Sequence, residues 1–211
     1  MNKTNGKSLK ELSSAALKWI FKSLIWLMIL LFVADIVTKW VAQNNIPVGS
    51  RIVVIENVFE LTLQYNEGAS WSLLDNARWL WIVVSVVMST ALIFIYIKKF
   101  KAMNGWYKAG FALMIPGALG NLIDRAFYWE GTVGFNGVID FIRIFPRVFT
   151  PTFNFADTSL VAGAIVLLVA VIIDMIKEAK EKASRGEYRY SPKELEERNK
   201  SNQEEKKETN E

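Results

Sequence analysis

The chain alternates between long apolar runs and short polar connections. Four of these runs, at residues 19–42, 77–97, 106–127 and 158–176, have close to the ~20 residues that a helix needs to cross a bilayer. The first run is longer than the apolar core of a cleaved signal peptide, so we expect it to be retained as a helix. The pattern predicts a mainly α integral membrane protein with four transmembrane helices.

A different pattern, typical of a β-strand, lies between the first two runs. From Phe59 to Asn66 apolar and polar residues alternate, which indicates a strand with one apolar and one polar face. We expect a small β-sheet there that lies on the membrane surface with its apolar face toward the lipid. The strand leads into Asn66–Ser72, a turn-like segment whose small residues let the backbone approach a ligand.

Lysine and arginine are concentrated in the segment before residue 19, in the connection between the second and third runs, and after residue 176. Because cytoplasmic flanks carry the excess of Lys and Arg, both termini are predicted to face the cytoplasm and the sheet to be extracytoplasmic. The predicted organisation is a cytoplasmic segment at 1–18, a membrane domain at 19–178 and a charged cytoplasmic tail at 179–211. Within the tail, Ser191 and Pro192 are typical of the start of a short helix.

The composition excludes several classes of function. The 211 residues include no cysteine and no histidine, which rules out disulfides, thiolate metal sites, cysteine nucleophiles and catalysis by a Ser-His pair. An enzyme with this composition takes its acid–base chemistry from Asp, Glu, Lys or Tyr. The net charge of +4 is not arranged as the basic and aromatic surface of a nucleic-acid-binding protein.

The candidate chemistry lies in residues 117–157, where acidic, amide and basic side chains fall inside or beside apolar runs. A charged group at membrane depth costs roughly 3 kcal/mol, so such residues are rare without a function. Asp140 lies in a predicted outer loop and Asp157 at the start of the fourth run. Two carboxylates at close range share a proton, which gives one acid and one base that together can activate water against an amide.

Each of these residues also has a simpler structural interpretation. Asp157 would be the N-cap of the fourth helix, and Asp124 would form an ion pair with Arg125. Asp35 and Lys39, which lie on one helix face, would form an interfacial ion pair. Asn121 and Asn154 would only hold backbone amides in place.

Five short motifs, taken in order, resemble those of the signal peptidase II family. They are Asp35-x-x-x-Lys39, Asn66-x-Gly68-Ala69-x-x-Ser72, Gly117-Ala118-x-Gly120-Asn121-x-x-Asp124-Arg125, Val138-x-Asp140-Phe141 and Phe153-Asn154-x-Ala156-Asp157. The resemblance covers about residues 19–176. Each motif is weak alone, but five in order across four apolar runs form a specific pattern.

The resemblance implies a membrane-embedded aspartic endopeptidase that needs no metal or other cofactor. Its substrates would be prolipoproteins already modified with diacylglyceryl on a cysteine, and it would cut just before that cysteine. The resemblance implies that Asp140 and Asp157 are catalytic. The residues that it implies as lining or bracing the site are Asn66, Gly68, Asn121, Arg125, Asn154, Asp124, Asp35 and Lys39.

We expect a monomer in the bacterial cytoplasmic (inner) membrane, with prolipoproteins and membrane lipids as partners and the active site at the extracytoplasmic face. Three features depart from the family pattern. They are the longer segment between Ala126 and Ile139, whose residues 130–134 we expect to form a different lid, the residue Trp71 before Ser72, and the charged tail.

Other functions remain compatible with the sequence. A Ser-Lys protease would use Lys39 as its base and Ser70 or Ser72 as its nucleophile. A transporter would use the membrane aspartates as an ion or proton path, although the charges cluster at one face and no repeat is present. A carboxylate metal site would need more oxygen ligands than the two aspartates supply, and a purely structural subunit would tolerate changes at both.

Overall fold

The computed structural model describes residues 18–66, 78–127, 137–148 and 151–185, together with residues 194, 196–197 and 199–201. Its elements, in chain order, are α1 (Ile25–Asn45), β1 (Ile52–Ile55), β2 (Phe59–Asn66), α2 (Arg78–Lys99), α3 (Gly105–Phe127), β3 (Val138–Ile144) and α4 (Phe155–Ser184). The chain divides into two compact units, Met1–Leu167 and Leu168–Glu211. Every candidate site residue that the structure describes lies in the first unit.

Three helical segments have the length and composition of membrane spans, namely Ile25–Asn45, Trp79–Lys99 and Phe155–Ser184. The fourth predicted span is also a helix, α3, with 23 residues, or about 35 Å at the α-helical rise. The second half of α3 contains Asn121, Asp124 and Arg125, and α3 lacks a stretch as apolar as those in the other three helices. Within the described ranges the chain therefore has three candidate spans and one long helix with a polar half.

The first helix is displaced along the chain from the predicted run at 19–42. Leu24 has a φ of 54° and separates a short helix at residues 18–23 from α1. At this break the Tyr96 hydroxyl donates a hydrogen bond to the Ser23 carbonyl. Because apolar residues continue on both sides of Leu24, hydropathy does not mark the break. As a result, Asp35 and Lys39 lie inside α1 and not at its end.

Three antiparallel strands form one sheet in the order β1-β2-β3. The alternation pattern predicted only β2. β1 reads Ile-Val-Val-Ile without alternation, and all four of its side chains are exposed. β3 occupies a segment predicted to be a loop, so Asp140 lies in a strand, and the burial of its first four residues hides the alternation by which strands are recognised.

A β-bulge in β2 contradicts the prediction of one apolar and one polar face. Leu61 pairs with Ile142 and Gln64 pairs with Asp140, so two residues of β2 lie opposite the single residue Phe141. The extra residue reverses the side of the sheet toward which the following side chains project. Consequently β2 buries polar and apolar residues together, namely Glu60, Thr62 and Leu63, at 7%, 2% and 1% exposure.

Two apolar clusters and a close helix contact hold the first unit together. One cluster joins the end of α1 to the sheet and contains Ala42, Ile46, Leu63, Ile139 and Phe141. The other packs α2 against α3 through Tyr96, Phe111 and Ile115. α3 and the first turn of α4 approach closely at Gly117, where an added Cβ would lie 2.5 Å from the Ala156 carbonyl oxygen. Small residues permit such close backbone contacts between helices in membranes.

Candidate active site

A buried ammonium group lies at the centre of the site. Lys39 on α1 is 2% exposed, and its Nζ lies 2.8 Å from Asp35 Oδ2 and 2.7 Å from Asp124 Oδ2. The same Nζ donates to Asn121 Oδ1 at 3.2 Å. All three donors of the ammonium group are therefore engaged. Two buried carboxylates compensate its charge, which is the condition under which a charged group is tolerated in an interior.

The two carboxylates that pair with Lys39 also hold backbone groups of other elements. Asp35 Oδ1 accepts a hydrogen bond of 2.8 Å from the N–H of Ala156 at the start of α4. Asp124 Oδ2 accepts a hydrogen bond of 3.2 Å from the N–H of Ile139 in β3. The ion pairs of α1 and α3 are thus tied to the two backbone segments that carry the candidate catalytic residues.

Asn154 is the N-cap of α4. Its Oδ1 accepts the N–H of Asp157 at 2.8 Å, and Asp157 Oδ2 accepts the N–H of Asn154 at 3.2 Å. This reciprocal pair is a capping box, with Asp157 at the third helical position. The simpler structural interpretation of Asp157 as the N-cap is therefore wrong, because α4 begins at Phe155 and not at Thr158. Asp157 is partly exposed, and its carboxylate lies at the end of the helix where a negative charge is favourable.

Two asparagine amides connect the carboxylates. Asn121 Nδ2 donates to Asp157 Oδ1 at 2.7 Å. Asn154 Nδ2 donates to Asp140 Oδ1 at 2.8 Å and to Asn121 Oδ1 at 3.0 Å. Because Asn121 Oδ1 accepts from both Lys39 and Asn154, its NH₂ group must point toward Asp157. Both asparagines therefore bridge charged groups in addition to any contact with the backbone.

Asp140 is a buried carboxyl group, only 2% exposed. Its burial, and secondly the negative charge of Asp157, raise the pKa of Asp140 to about 7. Hydrogen bonds from Asn66 Nδ2 to Asp140 Oδ2, at 3.0 Å, and from Asn154 act in the opposite direction. A carboxyl group with this pKa can hold a proton near neutral pH, which an acid catalyst requires.

Arg125 brings a second cation to the site. Its Nη1 donates to the Ser85 hydroxyl of α2 at 3.1 Å. Its guanidinium also interacts electrostatically with Asp157 and Asp124. The sequence suggested Arg125 as the ion-pair partner of Asp124, and the structure adds Lys39 as a close partner of that carboxylate.

Most of the residues singled out in the sequence meet at one place. Those joined by hydrogen bonds, ion pairs or electrostatic interactions are Asp35, Lys39, Asn66, Asn121, Asp124, Arg125, Asp140, Asn154 and Asp157. Lys39 Nζ is held by Asp35, Asp124 and Asn121. Gly68, Trp71, Ser70 and Ser72, the 130–134 segment and the predicted tail helix at Ser191 and Pro192 lie outside the described residues.

Several contributions to the site could not be recognised in the sequence. The N–H groups of Ala156 and Ile139 are backbone donors, which leave no signature in a sequence. Ser85 lies in an apolar run and had no partner in the sequence to suggest a role. Gly120 belongs to the third motif, but the need for glycine there becomes clear only in the structure. A Cβ added at Gly120 would overlap the Asp35 carboxylate.

Apolar helices, a small sheet and a pair of bridged aspartates together define a class, that of integral membrane proteins with an aspartic-type site. The particular family is given by a family model, described as signal peptidase (SPase) II, that matches residues 27–173. The chain belongs to the signal peptidase II family. It is therefore a membrane aspartic protease that processes lipoproteins, and the match gives no support to a transporter.

Two solved structures are similar to this chain. Both are described as a bacterial membrane enzyme determined by the in meso method, one at 2.3 Å and the other at 1.9 Å resolution. Each is 29% identical to this chain with a TM-score of 0.61. The first match covers 72% of this chain and 88% of the other, and the second covers 70% and 91%.

Proposed function

We propose that Asp140 and Asp157 are the catalytic pair of this endopeptidase. The enzyme would remove the signal peptide of a diacylglyceryl-modified prolipoprotein by cutting just before the lipid-bearing cysteine. One observation carries the assignment. Asn154 donates its side-chain amide to Asp140 and its backbone N–H to Asp157, which draws the two carboxyl groups to a single residue.

The two aspartates have different surroundings, which supports different roles. Asp140 is buried in β3 with a pKa near 7, so it is the member that holds the shared proton. Asp157 is partly exposed on the first turn of α4, within reach of solvent water. We assign Asp140 as the acid and Asp157 as the base. Two carboxyl groups in different environments can take these two different roles.

The reaction then follows with a balanced exchange of protons. Asp157 takes a proton from a water molecule while the oxygen of that water bonds to the scissile carbonyl carbon. At the same time Asp140 gives its proton to the carbonyl oxygen. When the C–N bond breaks, the departing amine takes the proton held by Asp157. A hydroxyl of the tetrahedral intermediate returns its proton to Asp140 as the new carboxylic acid forms, so the pair again holds one proton.

The remaining site residues would position this pair. Asp35, Lys39 and Asp124 brace the backbone at Ala156 and Ile139, and no atom of theirs contacts either catalytic carboxylate in the described hydrogen bonds. The residues that would line the site toward the substrate are Asn66, Gly68, Asn121, Arg125 and Asn154. Every site residue that the structure describes comes from one chain, which supports a monomer.

We also propose the membrane placement. α1, α2, α3 and α4 would cross the bacterial cytoplasmic membrane four times, with residues 1–18 and the 179–211 tail in the cytoplasm and the protease domain between them. Lys98 and Lys99 at the end of α2 support this orientation. The sheet would lie against membrane lipid at the extracytoplasmic face, because all four side chains of β1 are apolar and exposed.

The test is cleavage of a diacylglyceryl-modified prolipoprotein in detergent by separate Asp140→Asn and Asp157→Asn variants. We expect each to lower kcat by at least about 10³-fold, since the two groups act as a unit. Asp174→Asn, which changes a partly exposed aspartate of α4, is the matched control and should cleave normally. A chelator should have no effect on the wild type. Near-normal cleavage by either catalytic variant would contradict the proposal.

A further inference from the structure

The face of the sheet that carries Asp140 becomes apolar beyond the active site. Residues two apart on a strand, and residues directly opposed on antiparallel strands, project to the same face. Ile142 and Ile144 follow Asp140 on its face, and apolar residues of β2 and β1 oppose them. The two resulting rows, here called the apolar face, are Ile52, Leu61 and Ile142, and Ile55, Phe59 and Ile144.

The apolar face is accessible at its outer positions. Ile52, Ile55 and Ile144 are 44%, 54% and 37% exposed, and the other three members are partly buried. No charged side chain belongs to either row. Its chemistry therefore fits an uncharged aliphatic ligand.

The bulge in β2 is the feature that makes this face apolar. If pairing continued in the register of Gln64 with Asp140, Glu60 would lie opposite Ile144. Glu60 and Thr62 would then project on the side of Asp140, and the face would become polar. The bulge turns both side chains to the other side, where they are buried.

Glu60 and Arg143 favour the bulged register. They oppose each other directly across β2 and β3, and Arg143 Nη1 lies 3.9 Å from Glu60 Oε2. Among the described residues, neither Glu60 Oε2 nor Arg143 Nε has a hydrogen-bond partner. Each charge therefore depends on the other for compensation, and the continuous register would separate them.

We propose that the apolar face binds the acyl chains of the substrate's lipid-bearing cysteine, and that Glu60 and Arg143 are the positioning residues that keep it apolar. The proposal rests on the proposed function, in which the cut bond adjoins that cysteine. Ile142 and Ile144 lie about 7 Å and about 14 Å along β3 from Asp140 at the rise of a strand. Acyl chains attached beside the cut bond thus reach the apolar face directly.

The first test compares Ile52→Asn with Val53→Asn, since these neighbours in β1 project to opposite faces. Each variant cleaves synthetic prolipoprotein peptides whose cysteine carries either two palmitoyl or two butanoyl chains. We expect Ile52→Asn to raise KM for the palmitoyl peptide about tenfold and to leave KM for the butanoyl peptide and kcat unchanged. Val53→Asn should behave as the wild type with both peptides.

The second test addresses the register. Glu60→Gln should raise KM selectively for the palmitoyl peptide, as Ile52→Asn does, and the exchange Glu60→Arg with Arg143→Glu should restore the wild-type KM. Glu178→Gln is the matched control, because Glu178 pairs with Lys182 on an exposed helix surface. If Glu60→Gln does not fold, the comparison of Ile52→Asn with Val53→Asn still decides the location of the acyl chains.

Equal KM values for the two β1 variants would mean that β1 contacts bilayer lipid only and would overturn the proposal. The same conclusion would follow if KM changed equally for the palmitoyl and the butanoyl peptide. A KM for the palmitoyl peptide that stays raised after the charge exchange would overturn the role of Glu60 and Arg143. Cleavage by Asp140→Asn would instead contradict the proposed function, so the two failures are distinguishable.

Discussion

At the scale of single residues, Asn154 combines two tasks that are usually separate. Its Oδ1 caps α4, and its Nδ2 donates to Asp140 and Asn121. Capping requires only a short side chain with an acceptor, which serine also has. Connecting the carboxyl groups requires a donor of amide length. Substitution can therefore separate stability from catalysis at this position.

We expect Asn154→Ser to keep the cap of α4 and to lower kcat by about ten- to hundredfold, because the amide bridge is lost. Asn154→Ala should show the same loss of kcat and also lose about 1 kcal/mol of stability. Thermal unfolding in detergent and single-turnover cleavage measure the two effects. A serine variant with the wild-type kcat would show that the bridge does not position the carboxyl groups.

The residue types of the site could be recognised in the sequence, and their connections could not. Histidine and cysteine are absent, so the membrane aspartates stood out as the available acid–base groups. The cap at Asn154, three residues before the predicted one, depends on where the chain turns into α4. The bonds from Asp35 and Asp124 end on backbone N–H groups, which every sequence contains.

At the scale of elements, the close packing of α3 against α1 and α4 brings the site residues together. Gly120 of α3 faces the Asp35 carboxylate, and Gly117 faces the Ala156 carbonyl. A larger side chain at either position would push apart the segments that the ion pairs hold together. Small residues on α3 are thus a requirement of the site as well as of helix packing.

We expect Gly120→Ala to destabilise the protein by about 1–3 kcal/mol, since the added methyl group would overlap the Asp35 carboxylate. Gly105→Ala is the matched control at the start of the same helix, because nothing lies within 4 Å of its added Cβ. Thermal unfolding of both variants in detergent measures the difference. Equal melting temperatures for the two variants would contradict the close contact.

Helices were easier to predict than strands for a physical reason. A run of about 20 apolar residues is a strong signal because the bilayer itself imposes the length. The strands β1 and β3 lack alternation, since β1 is exposed on both sides and the first half of β3 is buried on both. The bulge in β2 lies in its pairing with β3, and the paired residues, such as Glu60 and Arg143, lie far apart in the chain.

At the scale of the whole molecule, the charge distribution and the helices together support a defined orientation in the membrane. The sheet and the start of α4 carry the two proposed catalytic carboxyl groups, whereas Lys98, Lys99 and Lys101 lie at the end of α2 and in the connection to α3. From the positive-inside rule we propose that this connection lies in the cytoplasm and the site outside. The absence of cysteine allows this to be tested with single introduced thiols.

We expect Glu56→Cys, in the β1–β2 connection, to react with a membrane-impermeant maleimide added to intact spheroplasts. Lys101→Cys, in the α2–α3 connection, should react only after the membrane is opened. Both positions are exposed in the structure, so access and not burial decides the result. Labelling of both thiols in intact spheroplasts, or of Lys101→Cys alone, would contradict the four-crossing orientation.

The pH dependence of kcat/KM for the lipidated substrate tests the shared proton most directly, because it reports the free enzyme's essential acid and base. Asp140 must be protonated to act as the acid, so kcat/KM should fall as pH rises through about 7. A kcat/KM that continues to rise above neutral pH, as a lysine base would require, would contradict an acid–base pair of Asp140 and Asp157.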